Sequence, residues 1–495
     1  MMKRSAAGKT AAPNRKKDTG VEGAGKKRDA APRHPKKIKG KDPVQASDAR
    51  TAAWMVLSAL EKESWTLDAA LERFSDRFRL TPRDQALFHA ICHGVLRWRQ
   101  TLDAAIVRFS RRPLDRMELE VLTVLRIALF QIRYLDKIPV SAAVDTAVAL
   151  TRRISRPWAA GFVNAVLRAA AKPSSGDTFP DPEKDPVKRL AQSRSFPVWL
   201  VSRWAARMGL EKAAAFCDAQ NEIPPITVRA NRLKVSRERL LAALKEESEN
   251  IRPCRYAPDG VSFFTPRRPI PEMIPFKRGW FQVQDEAAQL VTLLLDPRPG
   301  ETVLDACAGR GGKTGHMAQQ MENKGRIVAW DVDARKLSIL VSEMQRLGVT
   351  LVTVEKRNLQ SPGGFDPKLR ADRVLLDAPC SGLGVLRRNP DARWRVKETD
   401  LSRHRERQLR LLSRSSTLVK PSGVLVYAVC STEPEENEAV VEAFLQTHPD
   451  FCLCGDDASL PGALRPLLQR GSYLETRPLD HGMDGFFAAR FERRS

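Results

Sequence analysis

Val303-Leu304-Asp305-Ala306-Cys307-Ala308-Gly309-Arg310-Gly311-Gly312-Lys313-Thr314 reads as a buried strand, a glycine-rich turn and the first turn of a helix. Glycines there let the backbone approach a ligand closely, and a helix N-terminus favours negative groups. Two phosphate-binding patterns are excluded. A triphosphate loop needs glycine five residues before Gly312, where Cys307 stands, and a dinucleotide fingerprint needs glycine where Thr314 stands. About twenty residues on, a second apolar run ends in Trp330-Asp331-Val332-Asp333, where a carboxylate can take two ribose hydroxyls. A glycine loop without phosphate logic, followed by Asp331, fits S-adenosyl-L-methionine, whose ribose carries no phosphate. A nicotinamide-type nucleotide is the competing ligand.

Outward from this loop, strands and helices alternate over 285–495, the pattern of a parallel sheet with crossovers. Strands are expected at 302–305, 326–331, 351–355, 372–377, 423–429 and 484–491, and helices at 285–294, 313–321, 334–347, 401–417 and 434–446. Asp333 and Glu433 stand where N-caps would serve, and Gly348 where a helix would stop. Two cysteines each follow an expected strand directly: Cys380 in Val374-Leu375-Leu376-Asp377-Ala378-Pro379-Cys380-Ser381-Gly382, and Cys430 in Val424-Leu425-Val426-Tyr427-Ala428-Val429-Cys430-Ser431-Thr432. Thiols at the carboxyl ends of parallel strands face the crevice where open α/β sheets bind ligands. A single such cysteine is usually a small core residue; two together point to sulfur chemistry.

The chain has 495 residues and a formal charge of +24, of which residues 1–41, with fourteen basic and three acidic side chains, supply +11. The other +13 leaves a basic surface on the folded part, for which a polyanion is the natural partner. Eight scattered cysteines without C-x-x-C spacing, and seven histidines that do not cluster, give no disulfide framework and no metal site. No apolar run is long enough to span a bilayer. A cytoplasmic protein is expected.

Residues 1–44 are rich in Lys, Ala, Gly and Pro and are expected to be a disordered basic tail. From 45 to 172 the periodicity is helical: Ala52, Val56, Leu57 and Leu60 form one stripe, Leu87, Ile91, Val95 and Trp98 another, Leu122, Leu125, Leu129 and Ile132 a third. Six or seven helices in one all-α bundle follow. Prolines and alternating charge over 173–195 read as a linker, and 196–284 as a small α/β module with a βαβ-like core.

The loop at 305–314, Asp377-Ala378-Pro379-Cys380-Ser381-Gly382, Cys430-Ser431, the stretch Gly279 to Asp285 and the closing Asp484-Gly485-Phe486-Phe487 resemble the NOL1/NOP2/Sun family of RNA cytosine-5 methyltransferases over roughly 195–491. The preceding helices are similar to NusB-type RNA-binding domains, a combination found in bacterial methyltransferases of small-subunit ribosomal RNA. The resemblance implies a multidomain chain, an all-α NusB-like bundle followed by an α/β Rossmann-like methyltransferase domain that uses S-adenosyl-L-methionine. It implies Cys430 as the nucleophile on C6 of the base, Cys380 in product release and Asp377 against the cytosine's ring nitrogen and amino group. It further implies that Cys307, Ala308, Gly309, Arg310, Gly311, Gly312 and Lys313 hold the methionine end of the cofactor, Asp331 its ribose and Asn358 its adenine, with Asp377 near the methyl group. Two positions depart from the family pattern: Arg310 stands where proline is usual, and Asn358 where aspartate is usual. After Cys380, the segment with Arg387, Arg388, Arg393, Trp394 and Arg395 mixes guanidinium and indole, which suits phosphate contacts and base stacking; a charged surface loop is the rival reading. The expected partner is ribosomal RNA, with the protein a monomer needing no membrane and no metal. Transfer RNA is the alternative substrate. A DNA cytosine-5 methyltransferase using Cys380, and a non-catalytic RNA-binding assembly factor, are the alternative classes.

Overall fold

The computed structural model describes residues 48–172, 179–361, 369–454, 460–469 and 472–495; the expected tail at 1–44 and the first part of the expected linker, 173–178, lie outside the described residues. Seven α-helices are described in the N-terminal part: Ala49–Lys62, Leu67–Phe74, Pro82–Arg97, Arg99–Ser110, Leu119–Tyr134, Val140–Arg153 and Ala160–Ala170. Local chemistry sets their starts. The Asp48 carboxylate accepts the N–H groups of Arg50 and Thr51, and the Thr81 hydroxyl accepts that of Asp84. Leu119–Tyr134 is the central helix, buried all round from Val121 to Gln131. Ala52, Val56, Leu57, Ile91, Val95, Leu122, Leu125 and Leu129 form the bundle core, with Leu60, Leu87, Trp98 and Ile132 at its margin.

Within the proline-rich stretch expected as a linker, Asp185 caps a further helix, Pro186–Arg194. Pro186 is at its first turn, where a missing N–H costs nothing. Leu190 and Ala191 of this helix pack with Phe196, Leu200 and Trp204, and also with Leu383 and Leu386 from the segment after Cys380. Next comes a small sheet of β1 (Ile226–Ala230), β2 (Glu249–Pro253), β3 (Gly260–Phe264) and β4 (Phe281–Val283), in the order β2-β3-β1-β4. All its pairings are antiparallel, and β3 lies between β1 and β2, so the strand after helix Arg237–Leu244 does not return beside β1 as a simple βαβ unit would.

The large sheet contains β5 (Thr302–Asp305), β6 (Arg326–Asp331), β7 (Val352–Lys356), β8 (Ala371–Asp377), β9 (Val419–Val429), β10 (Phe451–Leu453), β11 (Leu468–Gln469), β12 (Tyr473–Thr476) and β13 (Phe486–Arg493). Their order is β11-β12-β13-β9-β8-β5-β6-β7, with β10 also paired to β13. The run β9-β8-β5-β6-β7 is parallel, while β13 joins β9 antiparallel. The chain winds outward from β5 to β7, then returns to place β8 on the other side of β5. Ligands of such sheets bind at that reversal, outside the carboxyl ends of the strands. Helices Glu286–Leu295, Gly312–Gln320, Ala334–Leu347, Asp400–Ser416 and Glu438–Thr447 accompany the sheet. Asp333 caps Ala334–Leu347, and Gly348 ends it with a φ of 75°. Glu433, expected as an N-cap, is not one. The helix begins later, after Asn437, and the buried Glu433 carboxylate accepts hydrogen bonds from Arg203, Trp204 and Arg207.

The guanidinium-rich segment expected to grip RNA is largely interior. Arg393 is fully buried; it donates to the carbonyls of Arg97 (3.2 Å) and Ser195 (3.1 Å) and to Asn221 Oδ1 (2.9 Å), and lies 4.0 Å from the Phe196 ring centre. Trp394 Nε1 donates to the Leu96 carbonyl at 2.6 Å, and Arg97 in turn donates to the Arg387 carbonyl at 2.6 Å. Arg387 is buried and pairs with Asp484, and Arg388 bridges Asp484 and Asp285 at 2.7 and 2.8 Å. Four of the five side chains therefore knit the helical bundle, the module and the sheet domain together, because protein carbonyls and carboxylates surround them; only Arg395 keeps an exposed guanidinium, 3.6 Å from Asp391. Arg393→Met should lower stability by roughly 3 kcal/mol, since it leaves buried acceptors without a donor. Urea unfolding followed by tryptophan fluorescence measures that loss.

Candidate active site

The backbone of the turn after β5 is tied to both neighbouring strands. Ala306 N–H donates to the Leu375 carbonyl of β8, Ala308 N–H to the Trp330 carbonyl of β6, and Gly309 N–H to Asp331 Oδ2 at 2.9 Å. Gly309 and Gly311 have φ values of 54° and 83°, a region that favours glycine. Apart from the adjoining backbone, no atom of the described residues lies within 4 Å of where a side chain would start on Gly309 or Gly312, so the loop presents bare backbone to open space. Beside it is a cavity of about 290 Å³ lined by Asp305, Cys307, Ala308, Gly309, Gly312, Lys313 and Asp377 among others.

This cavity fits the cofactor that the sequence suggests. Asp305 is buried; its Oδ2 accepts the Thr314 hydroxyl at 2.7 Å, and its Oδ1 has no hydrogen-bond partner among the described residues. Burial pushes its carboxyl up to about 7, against the Thr314 hydrogen bond. A partnerless buried carboxylate oxygen beside a glycine cradle suits the ammonium of an amino acid. Asp331, at the end of β6, accepts the N–H groups of Gly309 and Asp333, which fixes its carboxylate toward the loop. Asn358 is exposed just beyond β7, its Oδ1 accepting the Gln360 N–H at 2.9 Å. Burial holds the Cys307 thiol far above its usual range, so this cysteine lines the cavity as a neutral thiol.

Asp377 closes β8 and binds Lys313 Nζ through Oδ2 at 2.6 Å. Burial alone would lower the Lys313 ammonium, but the charge and hydrogen bond of Asp377, with a contribution from Cys430, reverse this and raise it. In the parallel pair β8–β9, Asp377 lies beside Ala428. Continuing past both strand ends, Cys380 Sγ and Cys430 Sγ stand 3.3 Å apart. The hydrogen bond shared with Cys430, followed by burial, holds Cys380 well above the usual thiol range. Cys380 is thus held as a neutral thiol, and its S–H can donate to Cys430 Sγ. The structure brings together Cys307 to Lys313, Asp331, Asp377, Cys380 and Cys430, and leaves Asn358 exposed beyond β7, outside the cavity lining. Sequence reading missed Asp305, although an acidic residue ending a strand immediately before a glycine loop was a usable signal.

Behind the thiols, two glycines cross. Gly384 N–H donates to the Cys430 carbonyl at 3.0 Å, and Gly485 N–H donates to the Gly384 carbonyl at 2.8 Å. A methyl group on Gly384 would meet the Gly485 carbonyl oxygen at 2.0 Å and the Cys430 carbonyl carbon at 3.0 Å, both backbone atoms. Gly384→Ala should therefore cost about 1–3 kcal/mol in urea unfolding. Gly161→Ala, on an exposed helix face with nothing within 4 Å, should be neutral or slightly stabilising.

Comparison with known proteins agrees with this geometry. Residues 292–492 match the model of the 16S rRNA methyltransferase RsmB/F family, residues 47–172 that of the NusB family, and residues 196–268 the ferredoxin-like domain of RsmF/B-like methyltransferases. The chain is 34% identical over 455 residues, 91% of its length and 100% of the relative's, to a protein of Bacillus subtilis (strain 168) named as a probable ribosomal RNA small subunit methyltransferase B. It is likewise 34% identical to the ribosomal RNA small subunit methyltransferase B of Escherichia coli O6:K15:H31, over 76% of this chain and 85% of that one. The crystal structure of PH0851 superimposes with a TM-score of 0.75 at 27% identity, covering 90% of this chain and 98% of that one. With helical bundle, module and thiol-bearing sheet all accounted for, the chain belongs to the S-adenosyl-L-methionine-dependent 16S rRNA methyltransferases of the RsmB/F family.

Proposed function

We propose that this protein methylates C5 of a cytosine in 16S ribosomal RNA, with Cys430 as the nucleophile and Cys380 as the group that assists release. The observation that carries the assignment is the pair of sulfurs 3.3 Å apart beside the Lys313–Asp377 ion pair. S-adenosyl-L-methionine supplies an electrophilic methyl group. Asp305, the backbone of Cys307 to Lys313 and Asp331 would hold it, with Asn358 toward the adenine. Lys313, kept charged by Asp377, places a positive charge beside Cys430. Cys430 Sγ bonds to C6 of the cytosine, and the electron pair displaced from the C5–C6 double bond makes C5 nucleophilic enough to take the methyl group. Lys313 occupies Asp377 Oδ2, and Oδ1 is the atom assigned to the base's amino group, orienting the ring, while the Lys313 ammonium opposes the negative charge that develops as the sulfur adds. After methylation, water takes the C5 proton, the C5–H electron pair re-forms the C5–C6 double bond and the C6–S bond breaks, returning the Cys430 sulfur with its electron pair; Cys380 assists at that step. The cytosine must leave its stack to meet Cys430. We take the protein to act as a monomer. No helix among the described residues is long and apolar enough to cross a membrane; we place the protein in the cytoplasm.

Trapping on RNA containing 5-fluorocytosine tests the roles. Cys430→Ser should abolish the covalent complex, and Cys380→Ala should let it accumulate. The reverse pattern would make Cys380 the nucleophile, as in DNA cytosine-5 methyltransferases. Absence of any adduct with the wild-type protein would favour a non-catalytic RNA-binding role. Bisulfite sequencing of ribosomal and transfer RNA from a strain lacking the protein identifies the substrate.

Asp305 gives a separate expectation. Its carboxyl, raised to about 7, is neutral below that pH and ionised above it. An ammonium group binds the ionised form, so cofactor affinity should rise as pH increases through about 7, with proton release on binding below it. Calorimetry in buffers of differing ionisation enthalpy measures that proton. Asp305→Asn should flatten the profile and weaken binding by about tenfold, the loss of one charge-assisted hydrogen bond.

A further inference from the structure

We propose that Glu436 is a positioning residue that fixes the two cysteines against each other by holding the serine that follows each one. The inference rests on the roles assigned above to Cys430 and Cys380. Glu436 is fully buried. Its Oε1 accepts the backbone N–H of Ser381 and the Gln408 side-chain amide, each at 2.9 Å. Its Oε2 accepts the hydroxyls of Ser381 at 2.5 Å and Ser431 at 2.6 Å. Tyr427, on β9, donates its hydroxyl to the Glu436 carbonyl at 2.6 Å, so the backbone carrying the carboxylate is also fixed to the strand that Cys430 directly follows.

A buried carboxylate is costly to maintain unless its oxygens are filled by donors. Here four donors converge on two oxygens, from the end of β8, the end of β9 and the helix Asp400–Ser416. An amide could not replace it, since its NH₂ would face two of those donors. Packing alone would be met by any side chain of this size; only an acceptor with two oxygens clasps both Cys-Ser dipeptides. The clasp sits one residue beyond each thiol. Moving either strand end would change the 3.3 Å separation of the sulfurs, and a displacement of ~1 Å at a reacting group can cost about 100-fold in rate.

The test compares Glu436→Gln with the wild type in the full chain. One readout is the rate at which diamide closes a Cys380–Cys430 disulfide, followed by peptide mapping. In that reaction the two thiols give two electrons and two protons to the azo bond, which becomes a hydrazine. Closure should slow at least about tenfold and kcat on 16S RNA should fall on the order of 100-fold, while the KM for RNA and the Kd for S-adenosyl-L-methionine stay within about threefold. A variant that closes the disulfide and turns over within about twofold of wild type overturns the proposal. Should Glu436→Gln lose cofactor binding, Ser431→Ala, which deletes one oxygen of the clasp, carries the same test with the same thresholds. Failure of the wild-type protein to form an adduct at Cys430 would defeat the assigned chemistry instead, and the disulfide rate would still judge Glu436.

Discussion

If β9 slipped by one residue against β8, each of its side chains would turn to the opposite face, and Cys430 would leave Cys380. What prevents the slip is not the hydrophobic pattern. Val374 to Leu376 and Val424 to Val429 are buried on both faces, so apolar burial alone is nearly indifferent to register. The polar ends decide it. At one end Lys420 pairs with Asp372 at 2.7 Å, and Gly423 lies so close to the carbonyls of Lys420 and Asp372 that no larger residue fits. At the other, Ala378 N–H donates to the Ala428 carbonyl, and Ser381 and Ser431 meet on Glu436. The sulfurs stand 3.3 Å apart because both ends of this strand pair are fixed.

The same economy of polar groups governs how the domains join. The chain has 83 Lys and Arg side chains, and several are spent inside. Arg393 has no carboxylate partner among the described residues; carbonyl oxygens from the helical bundle and the module hold it. Arg388 binds Asp285, which starts the helix Glu286–Leu295, and Asp484, which precedes β13. Such buried charges add little net stability over a well-packed apolar contact. Their directional bonds do set geometry: the sequences around Asp285 and Asp484, about two hundred residues apart, meet at one guanidinium beside the segment that follows Cys380.

Much of this was legible in the sequence. Alternation of apolar runs and amphipathic helices gave β5, β6, β8, β9 and their crossovers to within a few residues, because buried parallel strands and amphipathic helices leave strong local patterns. The strand-end positions of Asp331, Asp377, Cys380 and Cys430 followed from the same pattern. Two kinds of feature were not legible. Short edge strands such as β10 and β11, two or three residues long, carry no periodicity. Long-range polar partners are also invisible locally. Arg387, Arg388, Arg393 and Trp394 look like an RNA-facing loop until Asp484, Asn221 and Leu96 are seen around them. Glu433 fails as a cap for the same reason, since three side chains from helix Val198–Met208 claim its carboxylate.

Arg310 shows how a departure from the family's loop can be absorbed. Proline at that position would stiffen the turn by fixing φ and would remove a donor. The bonds that hold this loop come from the N–H groups of Ala306, Ala308, Gly309 and Gly311, and none of them uses that of Arg310. Proline or arginine therefore leaves the same ties in place, and the rigidity of the cradle resides in its attachment to β6 and β8. The Arg310 side chain turns outward and pairs with Glu72 of helix Leu67–Phe74. Both groups are about half exposed, so this contact contributes at most about 1 kcal/mol. That is too little to hold the helical bundle in place beside Arg393 and Trp394, whose bonds are buried. The exchange thus adds a weak tether between the bundle and the cofactor loop without loosening the loop itself.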